Sequence, residues 1–234
     1  MPEVAYPVWA TQFVSKTSSH ELIRAGTVRT LEEGTLTQLT SYSGSKQDFN
    51  LRRMGSRMLK AARLNGESFR ELRDDPSATA QSVSIIAIVG LCYGAGLGLF
   101  GFFIAGISTL EILIVTLIGL LAAILIAIIW SGTTLLIVTK LFGRRVGYWG
   151  LTRPFFFSWT PGLLFVLMSA PIPIVFEIVR ATSTVWIGIS SVFAVKNTVG
   201  ISTQQSLLTF ITSAVSIIFL GTIILSLIQF LIIR

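Results

Sequence analysis

The sequence predicts an all-α integral membrane protein of about five transmembrane helices, preceded by a cytoplasmic N-terminal arm and an amphipathic helix. Three observations carry that prediction. Of 234 residues, 52% are hydrophobic and only 12% charged, against roughly 25% charged in an ordinary soluble domain. The charge is also unevenly split: residues 1–81 hold 11 Lys/Arg and 9 Asp/Glu, while residues 82–234 hold 7 and 2. Beyond residue 81 the chain falls into apolar stretches long enough to cross a hydrocarbon core of about 30 Å. Three segments follow: a flexible arm over 1–50, a basic amphipathic helix with a helix-capping hinge over 51–81, and a membrane domain over 82–234.

The net charge of +7 reads as loop charge beside a membrane. Nucleic acid is rejected as a partner, because no basic stripe interleaved with aromatics stands outside the membrane boundaries. Cys92 is the only cysteine, which excludes an intrachain disulfide and a multi-cysteine metal site. Met1-Pro2-Glu3-Val4 starts no basic-then-apolar leader, so the first span is expected to act as its own insertion signal.

The arm is rich in Ser, Thr and Gly without a sustained period. Its clusters at Thr17-Ser18-Ser19 and Ser41-Tyr42-Ser43-Gly44-Ser45 suit a solvated linker, a phosphorylated segment or a docking site. From Leu51 the pattern changes. Leu51, Met54, Met58, Ala61 and Ala62 share one helical face, and Arg52, Arg53, Arg57, Lys60 and Arg63 fill the opposite one. Such a helix suits an anionic cytoplasmic leaflet, where each basic residue contributes on the order of 1 kcal/mol; it suits equally a Met/Ala face packed on the rest of the protein. Asn65-Gly66 breaks it, and Glu67 to Arg73 make a second short helix with Phe69 and Leu72 on one side.

Asp75-Pro76 is the expected hinge, with Asp75 as N-cap and Pro76 at the first helical position, and the first span follows at about 81–105. Gly96-Leu97-Gly98-Leu99-Phe100-Gly101 matches the dinucleotide pattern GxGxxG in letters, but it lacks the preceding strand and the aqueous setting. Gly90, Gly94 and Gly98, spaced by four, make instead a groove for close approach of another helix, in this chain or in a second copy. The further spans are expected at about 112–139, 154–170, 174–195 and 206–233, the third kinked or broken at Pro161-Gly162. The basic residues of the arm, of the 140–153 loop and of the turn at Lys196 then fall on one side. By the positive-inside rule that side is the cytoplasm, with the C terminus outside.

Five spans, a cytoplasmic arm and Asp74-Asp75-Pro76-Ser77-Ala78-Thr79-Ala80-Gln81 leading into the first span together resemble the Yip (Ypt-interacting protein) domain family in its prokaryotic form. The resemblance runs from about Met58 to Phe230 and includes the Gly143–Tyr148 loop, Pro161, the Trp186 span and Ile201-Ser202-Thr203-Gln204-Gln205. It implies a noncatalytic membrane protein; eukaryotic members are linked to prenylated Rab-type GTPases and vesicle traffic. Where those members carry Asp-Leu-Tyr-Gly-Pro, this chain has Asp74-Asp75-Pro76.

The residues themselves call for no enzyme, metal or cofactor. His20 is the only histidine and lies in the arm, so the spans hold no histidine-ligated haem and no Ser/His/Asp arrangement. Glu177 and Arg180, three residues apart, are the candidate intramembrane polar site, either lining a path or pairing near the outer interface. Three functions remain: a scaffold or membrane-organising protein that recruits a partner, an accessory subunit of a larger membrane complex, and a small transporter or channel.

Overall fold

Asn50 accepts the Arg53 amide at 3.0 Å and caps the first helix, α1, Leu51–Ala62. In the computed structural model, residues 50–232 are described, with side chains through residue 223 except residue 220. The expected arm and its Ser/Thr clusters lie outside them. Every element within the described residues is helical: α2 Gly66–Asp74, α3 Ala78–Ala105, α4 Thr109–Leu141, α5 Tyr148–Phe157, a 3-10 helix Thr160–Ser169, α6 Pro173–Val199 and α7 Thr203–Ile232.

The local sequence explains the joints. Leu64 takes a left-handed φ of 59° between α1 and α2, and Asn65 caps α2 by accepting the Ser68 amide at 3.1 Å. Gly106, at φ 68°, ends α3, a conformation that glycine adopts without steric cost. Ser108 and Glu111 then open α4 with a capping box, and Gly200 ends α6 at φ 70°.

Four described helices are long and apolar enough to cross a membrane: α3, α4, α6 and Thr203–Ile223 of α7. The most apolar stretch of α4 is only 11% buried, with Leu113, Leu117, Leu121 and Leu125 all exposed. So large a bare apolar surface is stable only where the surroundings are also apolar, and the chain is therefore an all-α membrane protein. Within the helices, Thr and Ser hydroxyls return to the preceding turn, as Thr116 does to the Ile112 carbonyl at 2.8 Å.

The expected third span is not one helix. Residues 148–169 divide into α5 and a ten-residue 3-10 helix, with Pro154 inside the first and Pro161 at the start of the second. Neither proline can donate to a helical ladder, which is why the segment tightens instead of continuing. It nevertheless advances alongside α3. Arg153 reaches Thr79, Gly162 meets Val89 and Ile187, and Gly96 lies against the Phe165 carbonyl. Helix α6 runs back beside them, from Phe176 stacked on Phe100 to the Thr198 carbonyl bonded by Arg73. The core lies between these elements, around Phe69, Leu72, Ile85, Val89, Phe155 and Met168.

Candidate functional site

Helix α1 buries Met54, Arg57 and Ala61 on one stripe. Arg57, expected on the lipid-facing side, is thus turned inward and only 2% exposed. At 100° per residue it stands only about 40° from Ala61, and the neighbouring elements hold acceptors for it. Its Nη1 donates to Gln81 Oε1 at 2.8 Å, and its Nη2 to Glu71 Oε1 at 3.3 Å and to Asp75 Oδ2. Arg53 joins the same Asp75 oxygen at 3.1 Å. Leu51, expected on the packed face, is exposed instead.

Asp75 does not cap the first span. It ends α2, its own amide bonded to the Glu71 carbonyl, and its Oδ1 accepts the Ser77 amide at 2.9 Å. A turn intervenes, closed by the Ala78 amide on the Asp75 carbonyl at 3.1 Å. The helix therefore starts at Ala78 and Pro76 precedes it rather than opening it. Asp75 is committed instead to the end of α2 and, through its other oxygen, to Arg57 and Arg53. Burial pushes the Asp75 carboxyl up, but hydrogen bonds from Ser77 and Arg57 outweigh that and hold it at about 2.

A second set of contacts, absent from the sequence reading, fastens this layer to the bundle. Arg73 Nη1 donates to the Thr198 carbonyl at 3.0 Å. Arg153 donates to the Arg73 carbonyl at 3.1 Å and to Thr79 Oγ1 at 2.7 Å. Trp186 Nε1 donates to the Ala62 carbonyl at 3.1 Å, and Ser190 reaches the Ala61 carbonyl at 3.4 Å. No spacing in the sequence marked these residues as partners; the one advance signal, for Arg57, was Gln81, an amide in the first turn of a long apolar helix.

With Arg53 and Arg57 committed to carboxylates, Arg52, Lys60 and Arg63 are exposed, and no side-chain partner meets them among the described residues. Leu59 and Leu51 are exposed on the same helix. The outward face of α1 is therefore cationic and apolar together.

Glu177 and Arg180 pair with each other at 2.5 Å, each side chain more than half exposed. Arg180 also lies 5.9 Å from the centre of the Phe176 ring. Gly90, Gly94 and Gly98 face the next helix of the same chain: a Cβ on Gly94 would sit 2.7 Å from the Thr116 Cα, and one on Gly98 3.1 Å from Ile112. Gly119 of α4 approaches Gly94 in return. Among the described residues no three His, Cys, Asp or Glu side chains gather to hold a metal ion.

Two hollows accompany these features. A partly open one of about 390 Å³ is lined by aromatics, including Tyr93, Trp130, Trp159 and Phe210. An open groove of about 560 Å³ lies between the end of α1 (Ala62, Arg63, Leu64) and the Ala181–Ile189 part of α6. Compared with known proteins, the chain gives no match: no family model fits it, and neither a curated protein nor a solved structure matches it.

Proposed function

We propose that the chain is a noncatalytic, Yip-like membrane protein that organises one face of a membrane, holding an anionic leaflet through α1 and presenting the preceding arm to a protein partner. The division of charge on α1 carries this reading. Arg57 and Arg53 lock the helix to the hinge, while Arg52, Lys60 and Arg63 are exposed beside Leu59 with no side-chain partner among the described residues. A helix serving only as packing has no need of that outer face, whereas an interfacial helix has both of its parts. The exposed, self-contained Glu177–Arg180 pair weighs against a transport path.

The proposal includes five passes, with the arm in the cytoplasm and the C terminus outside. Two observations support it. The 148–169 segment advances beside α3 from Thr79 to Gly96, nearly the length of a pass. The basic residues Arg73 and Arg153 and the Thr198 end of α6 meet at one end of the bundle, the arrangement that the positive-inside rule associates with the cytoplasm.

The test uses the full chain in anionic liposomes, on a Cys92→Ser background with a nitroxide at Leu59→Cys. We expect collisional accessibility typical of the headgroup boundary, and deeper water exposure when Arg52, Lys60 and Arg63 are all changed to Glu. A fully aqueous probe in the parent protein removes the membrane-face reading. Solute or ion flux that disappears in Glu177→Gln replaces it with transport.

A further inference from the structure

We propose that the groove between the end of α1 and α6 binds one anionic phospholipid, its phosphate on Arg63 and an acyl chain along Val185 and Ala181. The placement rests on the membrane-face reading of α1; the site itself goes beyond it. Four observations point to this occupant.

The first is depth. Gly162 meets both Val89 and Ile187, so the groove lies level with Val89, six residues into the apolar run that begins at Val83. Six residues rise about 9 Å, within the roughly 5–10 Å at which interfacial helices sit. From there the long Arg63 side chain can turn its guanidinium up to a phosphate while its stem stays in apolar surroundings. The second is direction and length. The groove continues from Ile189 to Ala181, eight residues or about 12 Å along α6. It runs away from the loop end that holds Thr198, as an acyl chain runs from headgroup to midplane.

The third observation is charge. Arg63 is exposed, has no side-chain partner among the described residues and is the groove's only charged residue. Lys60, one turn away, is likewise exposed. The last carbonyls of a helix repel an anion, but here two are already occupied, Ala62 by Trp186 and Ala61 by Ser190. The fourth is rigidity. Those same two hydrogen bonds pin α1 to α6, so the groove is formed before any lipid arrives. Thr182 and Trp186 are its other polar side chains, and the rest of its lining, Val185, Ile189 and Leu64 among it, is apolar. In a bilayer an open apolar groove fills with lipid; the Arg63 guanidinium at its mouth selects for a negative headgroup.

Native mass spectrometry of the full chain, in mild detergent and titrated with phosphatidylglycerol or phosphatidylcholine, tests the site. The expected result is one tightly held phosphatidylglycerol per chain. Its affinity should fall about fivefold in Arg63→Gln, the ~1 kcal/mol that one basic residue contributes near an anionic surface, and binding should be lost in Ala181→Trp, which fills the groove. Arg63→Gln alters an exposed side chain and keeps the test valid should the bulkier variant misfold. Millimolar inorganic phosphate should leave the bound lipid in place. Equal retention of the two lipids, unchanged affinity in Arg63→Gln, or displacement by free phosphate overturns the proposal. If the Leu59 nitroxide still reports the headgroup boundary, the membrane-face reading survives that outcome; if the probe is aqueous, both fall.

Discussion

Burying a guanidinium costs several kcal/mol unless its charge is paired, and Arg57 meets that condition through Gln81, Glu71 and Asp75 on its two Nη atoms, its Nε alone lacking a partner among the described residues. Removing the cation strips Gln81 Oε1 of its donor and leaves Asp75 Oδ2 with Arg53 alone. We therefore expect Arg57→Ala to lower stability by about 3–5 kcal/mol, read by urea unfolding in mild detergent. Arg57→Met combined with Asp75→Asn should recover much of that loss. Arg52→Ala, at an exposed position, should stay within about 0.5 kcal/mol; similar losses for Arg52→Ala and Arg57→Ala would mean that the pair is not a structural anchor. Asp75 also gives a pH signature. Its folded-state carboxyl lies at about 2, below the ordinary 3.8, so its contribution is complete above about pH 4 and is lost as pH falls through about 2. Asp75→Asn should flatten the stability profile across that window and lower the plateau above about pH 4, where the carboxylate's contribution is complete. None of this could be read from α1 alone. Five basic residues look alike there, and what separates Arg57 from Arg52 is a glutamine 24 positions on.

At the scale of elements, the sequence located the long helices to within a few residues because their apolar runs have few competing readings. It also marked the third span as breakable, through Pro161-Gly162, but not its division into α5 and a 3-10 helix. That outcome depends on what surrounds the segment. Phe155, Phe157 and Met168 are fully enclosed, and packing of this quality can hold a backbone form that local preference does not favour. The glycine ladder was legible as a groove but not as to its partner, since a four-residue spacing serves a neighbouring helix and a second copy equally. Its geometry now makes a sharp prediction. A Cβ on Gly94 would stand 2.7 Å from both the Cα and the carbonyl oxygen of Thr116, and backbone atoms cannot move aside as a side-chain tip can. Gly94→Ala should therefore force α3 and α4 apart at about 1–3 kcal/mol. Gly132→Ala, with nothing within 4 Å, should be nearly neutral. Thermal melts in detergent decide it, and equal melting temperatures for the two variants would show that the close α3–α4 contact contributes little.

At the scale of the whole molecule, hydropathy conveys the solvent but not how the polar layer is fastened to the membrane domain. Arg73 and Thr198 are 125 residues apart, and nothing in the sequence marks either as the other's partner. Their contact places the hinge, the start of α5 and the end of α6 at one end of the bundle. The turns at Ser108 and Ile172 then belong to the other end, because α3 and the 148–169 segment both run toward them from Thr79 and Arg153. This arrangement can be tested with single cysteines on a Cys92→Ser background, at the exposed positions Ser108, Arg144, Ile172 and Ser202. In intact cells a membrane-impermeant thiol reagent should label Ser108→Cys and Ile172→Cys, and should reach Arg144→Cys and Ser202→Cys only after the membrane is opened. The pair Arg144 and Ile172 is the decisive one, since only the broken segment lies between them. Labelling of both from the same side would mean that α5 and the 3-10 helix turn back within the membrane, leaving four passes and returning the C terminus to the side of the arm.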